Sequence, residues 1–120
     1  LPDDELAALL NFARKVGLAA LVETHTEDEI RRAVRTGAQV IGVNCRDLRT
    51  FRTDPSITAA LLDKIPAGRL KIAESGLRTA DDLAALRQAG ADGFLVGTTL
   101  MRAPDPAAKL RDLISKGTSL

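Results

Sequence analysis

The chain has 120 residues, a formal charge of +1 and a hydrophobic fraction of 45%, which bounds it to one small globular domain or part of a larger one. It has no Trp, no Tyr and only three Phe (Phe12, Phe51, Phe94), and charges of both signs mix along the helices, so no stacking platform or basic face for nucleic acid is expected. The lone Cys45 excludes an internal disulfide and any multi-cysteine metal site, and no apolar run approaches the ~20 residues that span a bilayer, so a reduced, cytoplasmic setting with no membrane partner is the expectation.

The chain opens inside an apparent helix, with no signal-peptide pattern. From Asp3 to Val16, Leu6, Leu9, Leu10 and Ala13 share a face, acids lead, Arg14 and Lys15 close, and Gly17 stops the helix. Leu18 to Val22 reads as a buried strand ending at Glu23. Thr26 and Glu29 have capping-box spacing for a helix that runs to Thr36, with Gly37 beyond it. Gln39 to Val43 is a second strand, ending at Asn44, and a loop from Cys45 to Asp54 follows. Pro55 suits the first turn of a third helix carrying Ile57, Leu61, Leu62 and Ile65. Leu70 to Ala73 is a third strand, ending at Glu74. Thr79 caps a helix through Ala89, and Gly93 to Val96 is a fourth strand. Thr98 to Met101 makes one short turn; Asp105 caps a last helix with Leu110, Leu113 and Ile114 facing inward, and 115–120 is expected to be a loose tail.

The order is one helix and then four βα units, all within a single domain, 1–120. Strands alternating with helices of this length imply an α/β fold with a parallel sheet. Four near-equal units suggest half of a (β/α)8 barrel, which typically needs ~250 residues. A free half would leave two open sheet edges and an apolar concave face, so a missing partner half or self-association is expected.

In a parallel sheet Glu23, Asn44, Glu74 and Gly97 come to the same carboxyl edge, where barrels keep their active sites. Two carboxylates there can divide base work and hydroxyl binding between them, although either could instead cap a helix or pair with Arg46. Arg46, two residues past a strand end, can bind a carboxylate or phosphate bidentately, or stand as a solvated loop arginine as Arg49 and Arg52 are read to be. Ser75-Gly76 and Gly97-Thr98 each suit a tight turn; on adjacent strands they offer backbone N–H groups and hydroxyls to a phosphate. His25 reads as a polar edge residue with no second His to share a metal, and Cys45 as a small filler. No Walker lysine motif and no G-x-G-x-x-G occurs. No metal or cofactor is expected.

Leu21-Val22-Glu23-Thr24-His25, the run from Ile41 to Phe51, Ala73-Glu74-Ser75-Gly76 and the run from Phe94 to Met101 together resemble indole-3-glycerol phosphate synthase. The likeness runs in register from about Leu6 to Ile114, and the Asn-x-Arg-Asp-Leu stretch from Asn44 to Leu48 separates it from phosphoribosylanthranilate isomerase and tryptophan synthase α. The resemblance implies a (β/α)8 TIM barrel of tryptophan biosynthesis. That enzyme closes the indole ring of 1-(2-carboxyphenylamino)-1-deoxyribulose 5-phosphate with loss of CO2 and water. It implies Glu23 for proton transfer, Asn44 for orienting the substrate, Arg46 near the anthranilate carboxylate and Glu74 on substrate hydroxyls. Ser75, Gly76, Gly97 and Thr98 then match the phosphate site, with Thr98 where the family usually has Ser or Glu. Only strands five to eight are matched. The family's catalytic lysines belong to the other half, and Lys71, alternating with Ile72 and Glu74, points away from the lumen. The chain alone is therefore expected to be inactive. The alternative is a non-catalytic, self-associating half barrel that keeps a phosphate site.

Overall fold

The computed structural model describes residues 1–44, 55–74 and 77–117. Helix α1 (Asp3–Lys15) precedes β1 (Leu21–Thr24), α2 (Glu27–Arg35), β2 (Val40–Asn44), α3 (Pro55–Asp63), β3 (Leu70–Glu74), α4 (Ala80–Gln88), β4 (Gly93–Leu95), α5 (Thr98–Arg102) and α6 (Pro106–Gly117). The strands form a parallel sheet in the order β1-β2-β3-β4. This is the α + (βα)4 arrangement expected of half a barrel.

Local chemistry explains the helix starts. Thr79 Oγ1 accepts from the Asp82 amide while the Asp82 carboxylate accepts from the Thr79 amide, a full capping box. At Thr26 only half of that box forms. Thr26 Oγ1 accepts from the Glu29 amide, but the Glu29 carboxylate reaches back to the His25 amide at 2.8 Å, one residue earlier. Asp105 caps α6 through the Ala108 amide. Gly37 and Gly90, at φ 90° and 115°, release the chain from α2 and α4 in a conformation that costs other residues.

Alternation along the strands gives the sheet two unlike faces. Ile41, Val43 and Ala73 point to the helices and are fully buried. They join Ile30 and Ala33 of α2, Leu62 of α3, Leu83 and Leu86 of α4 and Leu113 of α6 in one core. Lys71, in register with Ile41 and two residues from Ala73, shares this side of the sheet, away from the other face, as expected. The opposite face carries the in-register rows Leu21, Val40, Leu70; Glu23, Gly42, Ile72, Gly93; and Asn44, Glu74, Leu95.

Three expectations need correction. The first strand begins at Leu21 rather than Leu18 and extends past Glu23 to Thr24, because Leu18 follows the helix turn, its amide bonded to Ala13 O, and stays exposed. In α6 Leu113 is buried as expected, but Leu110 and Ile114 are exposed, and in α3 Ile57 is exposed while Thr58 is buried. The short turn expected at Thr98 to Met101 forms and runs one residue further, to Arg102, as helix α5. Helix α6 runs through Gly117, so 115–117 is no loose tail, and 118–120 lie outside the described residues.

Candidate functional site

Three of the predicted site residues meet at the carboxyl edge. Glu23 projects from β1, Asn44 ends β2 and Glu74 ends β3, with Asn44 and Glu74 paired in register. Asn44 Nδ2 donates to Glu23 Oε1 at 3.1 Å. Glu74 is 4% exposed, and its Oε2 is buried without a hydrogen-bond partner among the described residues. An orphaned carboxylate oxygen is costly, and the group responds by holding its proton. Burial, then the Glu23 charge, then a hydrogen bond shared with Glu23 push the Glu74 carboxyl up to about 7, partly opposed by His25. Near neutral pH the Glu74 carboxyl therefore holds its proton for part of the time.

Gly42 makes this arrangement possible. A Cβ there would fall 2.0 Å from Glu74 Oε2 and 2.9 Å from its Cδ, so any other residue would expel the carboxyl group. A lone glycine inside an apolar strand is the sequence signal of such close approach. Thr24 is the last residue of β1; its buried Oγ1 donates to Gly42 O at 2.8 Å and ties the two strands together.

His25 was also undervalued. Its Nε2 lies 3.6 Å from Glu23 Oε2 and its Nδ1 3.3 Å from Glu29 Oε1. The available signal was its i,i+4 spacing to Glu29.

The fourth edge stands apart from the carboxylates. Gly97 follows β4 and is the N-cap of α5, whose start has no side-chain cap; Thr98 opens that helix, and both are exposed. Nothing lies within 4 Å of a Cβ built on Gly97, so no protein atom in the described structure demands glycine there. Thr99 Oγ1 donates to Leu77 O at 2.6 Å, fastening α5 to the segment after β3. Arg46, Ser75 and Gly76, and with them Cys45, Arg49 and Arg52, lie outside the described residues. No group of His, Cys, Asp or Glu suited to a metal occurs among the described residues, and no described helix is long and apolar enough to cross a membrane.

Below the carboxylates, on the free side of β1, a groove of about 370 Å³ runs between α1 and α2. Leu6, Leu9 and Leu10 form its apolar wall, and Glu23, Glu29 and Arg32 its polar end. Arg32 is engaged by Asp3 at 2.8 Å, and Arg35 reaches the same carboxylate at 3.1 Å; the two guanidinium groups hold the Asp3 carboxyl below its usual range.

The family model described as indole-3-glycerol phosphate synthase matches residues 1–113. The indole-3-glycerol phosphate synthase of Mycobacterium avium (strain 104) is 45% identical over 118 residues, covering 98% of this chain and 43% of that protein. The enzyme of the same name from Roseiflexus sp. (strain RS-1) is 47% identical over 115 residues, covering 94% of this chain and 43% of that protein. The chain thus spans less than half the length of these relatives. Among solved structures, 3-hexulose-6-phosphate synthase from Salmonella typhimurium superposes with a TM-score of 0.80 at 15% identity, over 98% of this chain and 57% of that one. Thiamine phosphate pyrophosphorylase from Pyrococcus furiosus superposes with a TM-score of 0.75 at 17% identity, over 98% of this chain and 55% of that one. At such identities these two establish the fold alone.

Proposed function

The chain belongs to the indole-3-glycerol phosphate synthase family, and on that premise we propose that it supplies the second half of a synthase active site and does not complete one by itself. The observation that carries this reading is the carboxylate pair: Glu23 exposed and held by Asn44, Glu74 buried with its carboxyl raised to about 7. Ring closure with loss of CO2 and water requires protons to be removed and returned around a hydroxylated carbon chain. An ionised carboxylate beside a proton-holding one suits those two tasks. Glu23 moves the proton, Asn44 orients the substrate, and Glu74 binds its hydroxyls, accepting from them when ionised and donating when protonated. Arg46 takes the carboxylate of the anthranilate moiety, and Ser75, Gly76, Gly97 and Thr98 take the phosphate. Lys71 belongs to the helix-facing side of β3, so the lysines of the reaction come from the remaining units.

The test follows indole fluorescence when substrate meets the pure chain, with and without a protein supplying the first four βα units. Turnover is expected only on mixing. Turnover by the pure chain would overturn the claim that it is inactive alone. No turnover in either case, from folded protein, would overturn the synthase reading.

A second reading is favoured by the exposed concave face. Leu21, Leu70 and Leu95 are 44%, 55% and 54% exposed on neighbouring strands. A phosphate-binding half barrel without chemistry would cover them by self-association. Light scattering separates the two: a monodisperse dimer supports the second reading, and aggregation relieved by the other half supports the first.

A further inference from the structure

We propose that His25 is a positioning residue of this site: clamped by Glu29, its imidazole fixes the Glu23 carboxylate where it faces Glu74. The inference deepens the proposed function and rests on its reading of Glu23 and Glu74 as the working carboxylates.

The geometry is that of a ring held at both nitrogens. The His25 backbone N–H donates to Glu29 Oε1 at 2.8 Å, and Nδ1 of the same residue lies 3.3 Å from that same oxygen. Glu29 is itself fixed at the start of α2, where its amide donates to Thr26 Oγ1 at 3.1 Å. The clamp therefore sits on a capped helix start rather than on a free side chain. It turns Nε2 toward Glu23 Oε2 at 3.6 Å, while Asn44 Nδ2 holds the other oxygen of Glu23 at 3.1 Å. The two oxygens of Glu23 are thus anchored separately, one from β2 and one from the start of α2. Both ring nitrogens of His25 face carboxylate oxygens. A positive charge in that place lowers the Glu74 carboxyl, against the larger effects of burial and of Glu23.

Among the described residues, the other groups that bear on the pair do not replace His25. From β2 comes the neutral Asn44 amide and the bare backbone of Gly42. From α2 come Glu29, whose charge opposes ionisation of either partner, and Arg32, which lines the same groove but is engaged by Asp3 of α1. The β4 residues beside β3 are Gly93, Phe94 and Leu95, none of them titratable. Among the described residues, the basic group within 4 Å of the Glu23 carboxylate is the imidazole of His25.

Glu74 reports on this arrangement without any turnover. Its side-chain carboxyl can be titrated by carbon NMR in the full chain for the wild type, His25→Gln and His25→Lys. His25 is half exposed and not part of the core, so both variants are expected to fold, with circular dichroism as the check. His25→Gln should move the Glu74 midpoint to higher pH, because the favourable field on the pair is lost. His25→Lys, which restores a cation, should bring it back to or below the wild-type position. Identical titrations for the Gln and Lys variants, or a Gln variant that titrates as the wild type, would overturn the proposal. In the reconstituted synthase, His25→Gln should lower kcat by about tenfold with KM within about twofold, the pattern of a misaligned group rather than lost binding. A larger change in KM than in kcat would overturn the positioning role. If the wild-type mixture shows no turnover, the synthase reading fails, and the NMR comparison still decides whether His25 orders the carboxylate pair.

Discussion

The two faces of this sheet are made from alternate residues of the same strands, yet one is finished and the other is not. On the helix side Ile41, Val43 and Ala73 are fully buried, whereas on the concave side Leu21, Leu70 and Leu95 stay about half exposed. Burial of an apolar side chain is the main stabilising term in a domain this small, so the helix side carries the fold. The concave side carries the proposed chemistry, and at its carboxyl end the described residues order one another. There Gly42 admits the Glu74 carboxyl, and Asn44 and His25 hold Glu23. Stability and the proposed function are thus written on opposite faces with a period of two.

The largest expected effect comes from asking whether the faces differ energetically as they do in exposure. Ile41→Ala should destabilise by about 2–5 kcal/mol, because a fully buried branched side chain leaves a cavity among helix side chains. Leu70→Ala, on the open face, should cost roughly 0.5 kcal/mol or less in the isolated chain. Urea unfolding of both variants measures the difference. A cost at Leu70 approaching that at Ile41 would break the comparison and mean that the concave face is covered in solution.

Gly42→Ala probes the point where the open face becomes ordered. The new methyl group would collide with Glu74 Oε2, and the carboxyl must leave its seat. A loss of roughly 1–3 kcal/mol is expected from overpacking. The Glu74 carboxyl should also return toward the ordinary carboxylate range as it meets water. An unchanged Glu74 titration in this variant would show that its seat does not depend on the missing Cβ.

Glu74→Gln sharpens the same point through pH. The carboxyl is raised in the folded chain to about 7 from an ordinary value of 4.5, so folding favours its protonated form. Its contribution is present in full below the unfolded value and is lost as pH rises through the folded one. The wild type should therefore lose roughly 1–3 kcal/mol of stability between pH 4.5 and pH 8 from this group, a loss absent in Glu74→Gln. Equal pH dependence in the two proteins, measured by denaturant unfolding, would sink this account.

Much of this was legible in the sequence because it rests on periodicity and punctuation. Thr79 and Asp82 declared a helix start that forms as read, and Glu23, Asn44 and Glu74 were visible as polar stops on apolar strands. What escaped depends on geometry across strands and helices. Leu110 and Ile114 fit an apolar stripe, but α6 packs on α4 and α5 through a narrower face that takes Leu113. The start of β1 slipped by three residues because Leu18 to Ala20 are apolar without being paired. Gly42 and His25 matter only through what stands beside them, Glu74 on the next strand and Glu23 on the same edge, and single-chain spacing does not carry that information.

The smallest effects come from two neighbours in sequence that lie on opposite faces. Thr24 is 1% exposed toward the helices, and its hydroxyl donates to Gly42 O at 2.8 Å. Thr24→Val keeps the shape and removes that donor, at a cost of about 1 kcal/mol. Glu23 faces the other way and is half exposed, so Glu23→Gln should change stability by no more than about 0.5 kcal/mol. On the Glu74 titration the order should reverse. Glu23→Gln removes the second cause of the raised Glu74 carboxyl and should lower its midpoint, because the charge that repels ionised Glu74 is gone. Thr24→Val acts from the far side of the sheet and should leave the midpoint where it is. Each variant thus moves one readout and spares the other. A Thr24→Val chain whose Glu74 titration shifts as far as that of Glu23→Gln would mean that the backbone of Gly42 relays strain between the faces. Stability and chemistry would then be coupled through β2 instead of being divided by the sheet.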